Sequence, residues 1–96
     1  MAIKAKTNAE KIVKGIPIDE IRDALINEYR RRRIRYKMVD EAMKKKYGMG
    51  YGDFDSTNMV RDRKFAWDVE SDSMEWEHAI EGFRYVEQKL RDLEDL

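Results

Sequence analysis

Arginine dominates the side chains of this chain that could do chemistry. Arg30, Arg31, Arg32, Arg33 and Arg35 fall within six consecutive positions. Guanidinium groups form paired hydrogen bonds with phosphates and with carboxylates, so the cluster could bind a nucleic acid or an acidic protein surface. On a helix, four consecutive arginines spread around the whole circumference instead of forming one stripe. The pattern favours pairing with carboxylates of the same chain or of a partner over nucleic-acid binding, and a merely solvated basic face is the least favoured reading.

Charge is segregated along the chain. Residues 1–47 contain 14 Lys and Arg against 7 Asp and Glu, whereas residues 48–96 contain 6 against 13. The two parts therefore carry +7 and −7 in a protein with no formal net charge. Such an arrangement favours contacts between opposite charges within the chain, with a second copy or with a partner.

One histidine limits the metal and acid–base chemistry that can be expected. Glu75 and His78 have the Glu-x-x-His spacing of di-iron helical bundles, but the chain has no second histidine and no cysteine. His78 also lies about 125° from the apolar line of its predicted helix, so it faces solvent or a partner. A calcium loop beginning at Asp53 fails, because Asn58 and Lys64 stand where glycine and glutamate are required. We expect no cofactor, no small-molecule substrate and no enzymatic activity.

The bulk composition predicts one small helical protein. With 96 residues, 42% charged residues, 42% hydrophobic residues and a single proline, the chain favours long helices. It lacks cysteine and has no apolar run approaching the ~20 residues that span a bilayer. Its first 15 residues contain no hydrophobic signal-peptide core. We therefore expect a cytoplasmic protein that does not contact membranes.

A first long helix is predicted from about Ile18 to Tyr47, inside a single helical domain of residues 16–96. Residues 1–15 form a flexible basic arm in this prediction. Pro17 suits the helix start, and Gly48 supplies a left-handed stop. Long apolar or amphipathic side chains recur at spacings of three and four, within about 60° of one line. This predicted seam contains Ile18, Ile21, Leu25, Tyr29, Arg32, Tyr36, Val39, Met43 and Tyr47.

A second long helix follows an irregular connector. Glycines interrupt residues 48–52, a short helix is expected over about Tyr51 to Val60, and residues 64–70 alternate in a manner typical of extended chain. Asp72 and Glu75 form a capping-box pattern that starts the second helix. Its seam has strict three and four spacing and contains Trp76, Ala79, Phe83, Val86, Leu90 and Leu93.

Some apolar residues fall outside both seams. Ile34 and Met38 lie about 160° from Tyr36 around the first helix, and Ile80 and Tyr85 leave the second seam. One hairpin cannot cover these side chains as well as its own seams. The predicted fold is therefore all-α, a helical hairpin of two long amphipathic helices that dimerises into a four-helix arrangement.

Several motifs resemble those of a small prokaryotic antitoxin-like family. They are Lys45-Lys46-Tyr47-Gly48-Met49, the Phe54 connector, Trp67-Asp68-Val69-Glu70 with Asp72, and Glu75-Trp76-Glu77. In that family a long first helix ends in KYGM, an FEEF-like connector follows, and a W-x-V-E-x-D…EW pattern precedes a leucine-rich helix. The similarity runs from about Ile18 to the end. The chain departs from it at Gly50, at Gly52 and in its dense arginines.

The resemblance implies a function without an active site. Members are described as antitoxin-like and are encoded beside small toxins, many of the ribonuclease type. It implies a protein that binds and neutralises a cognate toxin. Together with the dimer predicted above, the expectation is a helical homodimer of this kind, with contact between the basic half and operator DNA in autoregulation as a further hypothesis. The alternative is a small DNA- or RNA-binding regulator that uses Arg30, Arg31, Arg33 and Arg35, and a structural or adaptor helical module is the third interpretation. The predicted partner-binding residues are Phe54, Trp67, Val69, Trp76 and Ile80, and the predicted dimer and core residues are Ile21, Leu25, Tyr36, Val39, Met43, Phe83, Val86, Leu90 and Leu93.

Overall fold

The structure, a computed structural model, describes residues 7–62 and 66–95 and is helical throughout its regular elements. The predicted all-α hairpin is confirmed: two long helices pack along each other, and short helices lie in the connector. None of the described helices is long and apolar enough to cross a membrane. The helices are α1 (Asn8–Lys14), α2 (Ile18–Tyr47), α3 (Tyr51–Ser56), α4 (Met59–Asp62) and α5 (Trp67–Glu94).

Helix α2 has the bounds that the sequence predicts. Pro17 immediately precedes it, and Asp19 and Glu20 place negative charge in its first turn, where the helix dipole favours it. Gly48 ends the helix with φ 70°, and its N–H donates to the carbonyl of Lys44. A positive φ is costly for a residue with a Cβ, so glycine is the appropriate stop at this position.

Helix α5 begins at Trp67, which corrects two predictions. Residues 67–70 are helical and not extended, and Asp72 lies inside the helix instead of capping it. Ala66 precedes the helix with φ −56° and ψ 135°, and Lys64 and Phe65, the remaining residues of the predicted extended segment, lie outside the described residues. The physical reason is Val69, which stands seven positions before Trp76 on the same seam and is also buried. Burial of this additional turn extends the helix backwards from the capping-box pattern.

The predicted connector helix is divided in two. Asn58 adopts φ 54° between α3 and α4, and this left-handed conformation interrupts a helix. Helices α3 and α4 then pack against α5 at one end of the hairpin, and α3 also contacts α2. The connector thus closes the end of the hairpin where α2 finishes and α5 starts.

The core is concentrated at that closed end. Met43, Phe54, Val69 and Trp76 form a buried cluster, and side chains of α2, the connector and α5 surround it. The packed neighbours are Val39, Tyr47, Met49, Tyr51, Val60, Ala66 and Ile80. Further along α5 the buried side chains are Ala79, Val86 and Leu90, while Phe83 and Leu93 are half-buried.

Helices α2 and α5 run antiparallel, and their open end is less covered. Asp72 near the start of α5 bonds Lys46 near the end of α2, whereas Leu25 near the start of α2 and Leu93 near the end of α5 line one cavity. Ile21 and Tyr36 are half-buried, but Leu25 is 37% exposed and Ile18 is 73% exposed. The first turns of α2 extend beyond the last turn of α5.

Helix α1 stands apart from the hairpin. Thr7 caps it, with its hydroxyl oxygen accepting the N–H of Glu10 at 3.2 Å. None of its residues is buried, Ile12 and Val13 are exposed, and it packs against no other described helix. Within the predicted N-terminal arm, residues 8–14 are therefore helical.

Candidate protein-interaction site

The outer face of α5 carries a line of acidic and apolar side chains. Trp67, Glu70, Met74, Glu77 and Glu81 follow spacings of three and four, which place them on one side of the helix, opposite the buried seam. Trp67 is 79% exposed and Met74 is 67% exposed, so two large apolar groups lie in solvent. We call these five residues the acidic strip.

The surroundings of the acidic strip are strongly negative. Residues 67–83 contain six Asp and Glu and no Lys or Arg. Asp72 alone among these six has an ion pair in the described part of the chain, to Lys46 Nζ at 2.5 Å, and it also accepts the Tyr47 hydroxyl at 2.6 Å. Burial raises the pKa of Asp72, but the hydrogen bonds from Lys46 and Tyr47 outweigh it and hold the pKa below its usual value. The five other carboxylates make no ion pair in the described part of the chain, so the negative charge around the strip is not compensated.

Tyr51, the first residue of α3, is affected by the same negative charges. Its phenol pKa is raised, first by burial and then by the negative charges of Glu77, Asp55 and Glu81. Two of these carboxylates belong to the acidic strip and the third to α3. The carboxylates of α3 and of the first turns of α5 thus lie close enough to act together on Tyr51.

Three of the five clustered arginines are engaged with carboxylates of this chain. Arg33 Nη1 lies 3.1 Å from Glu87 Oε1 and joins α2 to α5. Arg32 Nε lies 2.7 Å from Glu28 Oε2, and Arg31 also pairs with Glu28, so the two arginines lower the pKa of that carboxyl. Within the described residues, Arg30 and Arg35 are exposed and make no ion pair.

The outer face of α2 also carries two exposed apolar side chains, but the charged residues beside them are mainly basic. Ile34 is 60% exposed and Met38 is 64% exposed, one helical turn apart. Arg30, Lys37 and Glu41 flank them, so two basic residues and one acidic residue surround the apolar pair. We call these five residues the basic strip.

Most of the predicted partner-binding residues lie inside the molecule. Phe54, Val69 and Trp76 belong to the buried cluster, and Ile80 is half-buried against it. The Trp76 indole N–H donates to Asp40 Oδ1 at 2.9 Å. These side chains hold the connector onto the hairpin, and of the five only Trp67 is exposed to solvent. Met74, Glu70, Glu77 and Glu81 were not singled out from the sequence as partner-binding, although their spacing with Trp67 marks a second line on α5.

A groove of about 440 Å³ lies between α2 and α5. Its apolar floor is bordered by five charged side chains, among which Lys44 Nζ lies 3.1 Å from Asp40 Oδ2 and 3.9 Å from Glu41 Oε1. The bond to Asp40 is the main reason that the pKa of Lys44 is raised. No group of three potential His, Cys, Asp or Glu ligands in the described part of the chain could hold a metal ion. The groove is lined by Tyr36, Lys37, Asp40, Glu41, Lys44, Ala79, Ile80, Phe83 and Arg84.

Comparison with known protein families, with curated proteins and with solved structures found no match for this chain.

Proposed function

We propose that the protein is an antitoxin-type interaction protein, a cytoplasmic helical hairpin that self-associates and neutralises a cognate protein toxin by covering it. Such a protein needs exposed binding surfaces and no reaction centre. The resemblance of its motifs to an antitoxin-like family supports this class. The geometry of the outer faces of α2 and α5 supports it independently.

The observation that carries the proposal is the exposure of Ile34, Met38, Trp67 and Met74. Each is at least 60% exposed, on a hairpin whose shortest extent is 17 Å. Pairs of exposed apolar side chains bordered by charges are typical of protein interaction sites. The two pairs lie on opposite sides of the hairpin, so one molecule can bind a second copy and a partner at the same time.

Self-association is proposed for the outer face of α2. A second copy that packs there would cover Ile34 and Met38 and would extend the hairpin to four helices. Glu41 in one copy provides a carboxylate for the arginines and lysines of the other. The outer face of α5 remains open for the toxin in this arrangement.

Co-expression with the product of the adjacent reading frame tests the function. We expect that product to arrest growth when expressed alone, and this protein to relieve the arrest and to co-purify with it. A neighbouring product that is harmless and does not co-purify would contradict the antitoxin proposal. Sedimentation equilibrium of the protein alone separately tests the homodimer, which a concentration-independent monomer would rule out.

A second function, binding of DNA or RNA, is favoured by one observation. Arg30 and Arg35 are exposed and make no ion pair within the described residues. Phosphate contacts make affinity strongly salt-dependent, so retention on immobilised nucleic acid at rising salt measures them. If this is the main function, replacing Arg30, Arg31, Arg33 and Arg35 with Gln abolishes retention. In an antitoxin whose toxin surface lies on α5, the same variant still captures the toxin.

A further inference from the structure

We infer that the acidic strip of α5 is the docking face for a basic amphipathic helix of the partner protein. The inference rests on the proposed function and adds the location of the toxin surface and the chemistry that it recognises. It places recognition at Trp67 and Met74 together with the carboxylates of Glu70, Glu77 and Glu81.

The spacing of the strip fits one helix laid along another. Trp67 and Met74 are seven residues apart, about two turns, so they present two apolar knobs about 10 Å apart along the axis. A partner helix with apolar residues at positions i and i+7, or i+3 and i+4, can pack around such knobs. Tryptophan is also one of the residue types enriched among those that contribute most to binding in interfaces.

The charge of the strip determines the sign of the partner. Glu70, Glu77 and Glu81 alternate with the apolar residues, and none of the three makes an ion pair within the described residues. Lys46, at the end of α2, is bonded to Asp72. A partner helix with Lys or Arg beside its apolar line would therefore meet three uncompensated carboxylates. Complementary charges of this kind speed association and exclude acidic competitors.

The same charges disfavour a second copy as the occupant in a symmetric dimer. Two acidic strips placed together would bring carboxylates against carboxylates, which costs free energy. The basic strip of a second copy has the right sign, but it lies on the opposite side of the hairpin. That contact is head-to-tail, and it would require the α2 face that the proposed homodimer already covers. A separate protein is the occupant that is compatible with that homodimer.

The first test uses defined peptides and the emission of Trp67. The probe is a synthetic amphipathic helical peptide of leucine and lysine, and the control peptide has glutamate in place of lysine. We expect the lysine peptide to shift the tryptophan emission to shorter wavelength and to protect it from acrylamide. The glutamate peptide should do neither. Lack of protection by the lysine peptide, or equal protection by both peptides, would overturn the inference.

Two matched charge variants locate the site. Glu70→Gln, Glu77→Gln and Glu81→Gln together should weaken binding of the lysine peptide about tenfold or more, because three ion pairs are lost. Asp92→Asn, Glu94→Gln and Asp95→Asn remove the same charge from the other end of α5 and should change affinity less than about twofold. Equal weakening in both variants would mean that only net charge matters, which also overturns the inference.

Capture of the natural partner separates this inference from the proposed function. If the product of the adjacent reading frame binds the wild type and binds the Glu70, Glu77 and Glu81 variant equally well, the function stands and the docking face is wrong. If binding is lost only in that variant, the docking face is supported. If Trp67 becomes protected as protein concentration rises without any peptide, a second copy occupies the strip and the inference of a separate partner is overturned.

Discussion

The ring of Tyr36 occupies the space that a side chain at residue 82 would need. A Cβ on Gly82 would lie 2.5 Å from Cζ of Tyr36 and within 2.8 Å of both neighbouring ring carbons. The tyrosine of α2 therefore contacts the backbone of α5 directly, and His78 packs edge-on against the same ring with centroids 5.9 Å apart. This contact fixes how closely the two long helices approach near the middle of the hairpin.

Gly82→Ala should destabilise the protein although alanine is the better helix former. The helix propensity gain is about 1 kcal/mol, but the methyl group must displace an aromatic ring, and overpacking typically costs about 1–3 kcal/mol. We expect a net loss of about 1 kcal/mol in the free energy of unfolding, measured by urea denaturation with circular dichroism. Gly52→Ala in α3 is the control, because no atom lies within 4 Å of its added Cβ. A stabilising Gly82→Ala would contradict the contact.

Asp40 connects the core tryptophan to the surface of α2. Its Oδ1 accepts the Trp76 indole N–H at 2.9 Å, and its Oδ2 lies 3.1 Å from Lys44 Nζ. Asp40→Ala leaves a buried donor unpaired and should cost about 1–2 kcal/mol of unfolding free energy. Asp40→Asn retains the acceptor and loses only the exposed lysine pair, so it should cost clearly less than Asp40→Ala. Equal costs for the two variants in guanidinium denaturation would show that the indole bond is not stabilising.

The bonds from Lys46 and Tyr47 to Asp72 predict a pH-dependent stability. Because the folded pKa of Asp72 is lowered, its ionised form stabilises the native state at pH values above the unfolded pKa of about 3.9. This contribution is lost as the pH falls through the lower, folded pKa. Wild type should exceed Asp72→Asn by about 1 kcal/mol near neutral pH, and the two should converge in acid.

Urea denaturation of both proteins at a series of pH values measures that convergence. Tyr47→Phe serves as the intermediate variant, because the pair between Lys46 and Asp72 remains while one donor is removed. Its stability deficit at neutral pH should also reflect the lost tyrosine hydroxyl. A constant difference between wild type and Asp72→Asn from neutral to acid pH would be inconsistent with a bonded, ionised Asp72.

The two tryptophans should differ sharply in emission. Trp67 is 79% exposed, whereas Trp76 is fully buried. Trp67→Phe should shift the remaining emission to shorter wavelength and reduce quenching by acrylamide. Its unfolding free energy should change by less than about 0.5 kcal/mol, as for other surface substitutions. Emission that stays at long wavelength in Trp67→Phe would mean that Trp76 is not buried.

The periodicity of the sequence predicted the long helices well because it reflects local geometry. The bounds of α2 follow from Pro17, a continuous apolar line and Gly48, all of which act within a few residues. The predicted start of α5 at Asp72 was wrong, because the capping pattern there competes with burial of Val69. That burial depends on the connector and on α2, which are distant along the chain. Extending the three and four spacing backwards from Trp76 would have indicated the earlier start.

Tertiary contacts explain what the sequence did not reveal about the site. Phe54 and Trp76 look like a partner surface when their neighbours along the chain are glycines and acidic residues, yet the connector folds back and buries both. From the sequence, Gly82 only lowers the helix propensity of α5. The structure shows its reason, because the ring of Tyr36 lies against it. The acidic strip lies opposite the predicted seam of α5, but the line that Trp67 forms with Met74 could not be recognised while residues 64–70 were predicted to be extended.

The uneven coverage of the hairpin has a consequence for proteolysis. Helix α1 makes no tertiary contact with the other described helices, and Ile18 and Leu25 at the start of α2 are exposed. The connector end of the hairpin, in contrast, encloses the buried cluster around Trp76. Local opening requires least free energy where few contacts must break. Trypsin should therefore cut first after Lys11 or Lys14 and later after Arg22. The shortened product would retain the connector, the closed end and the face of α5 that carries Trp67.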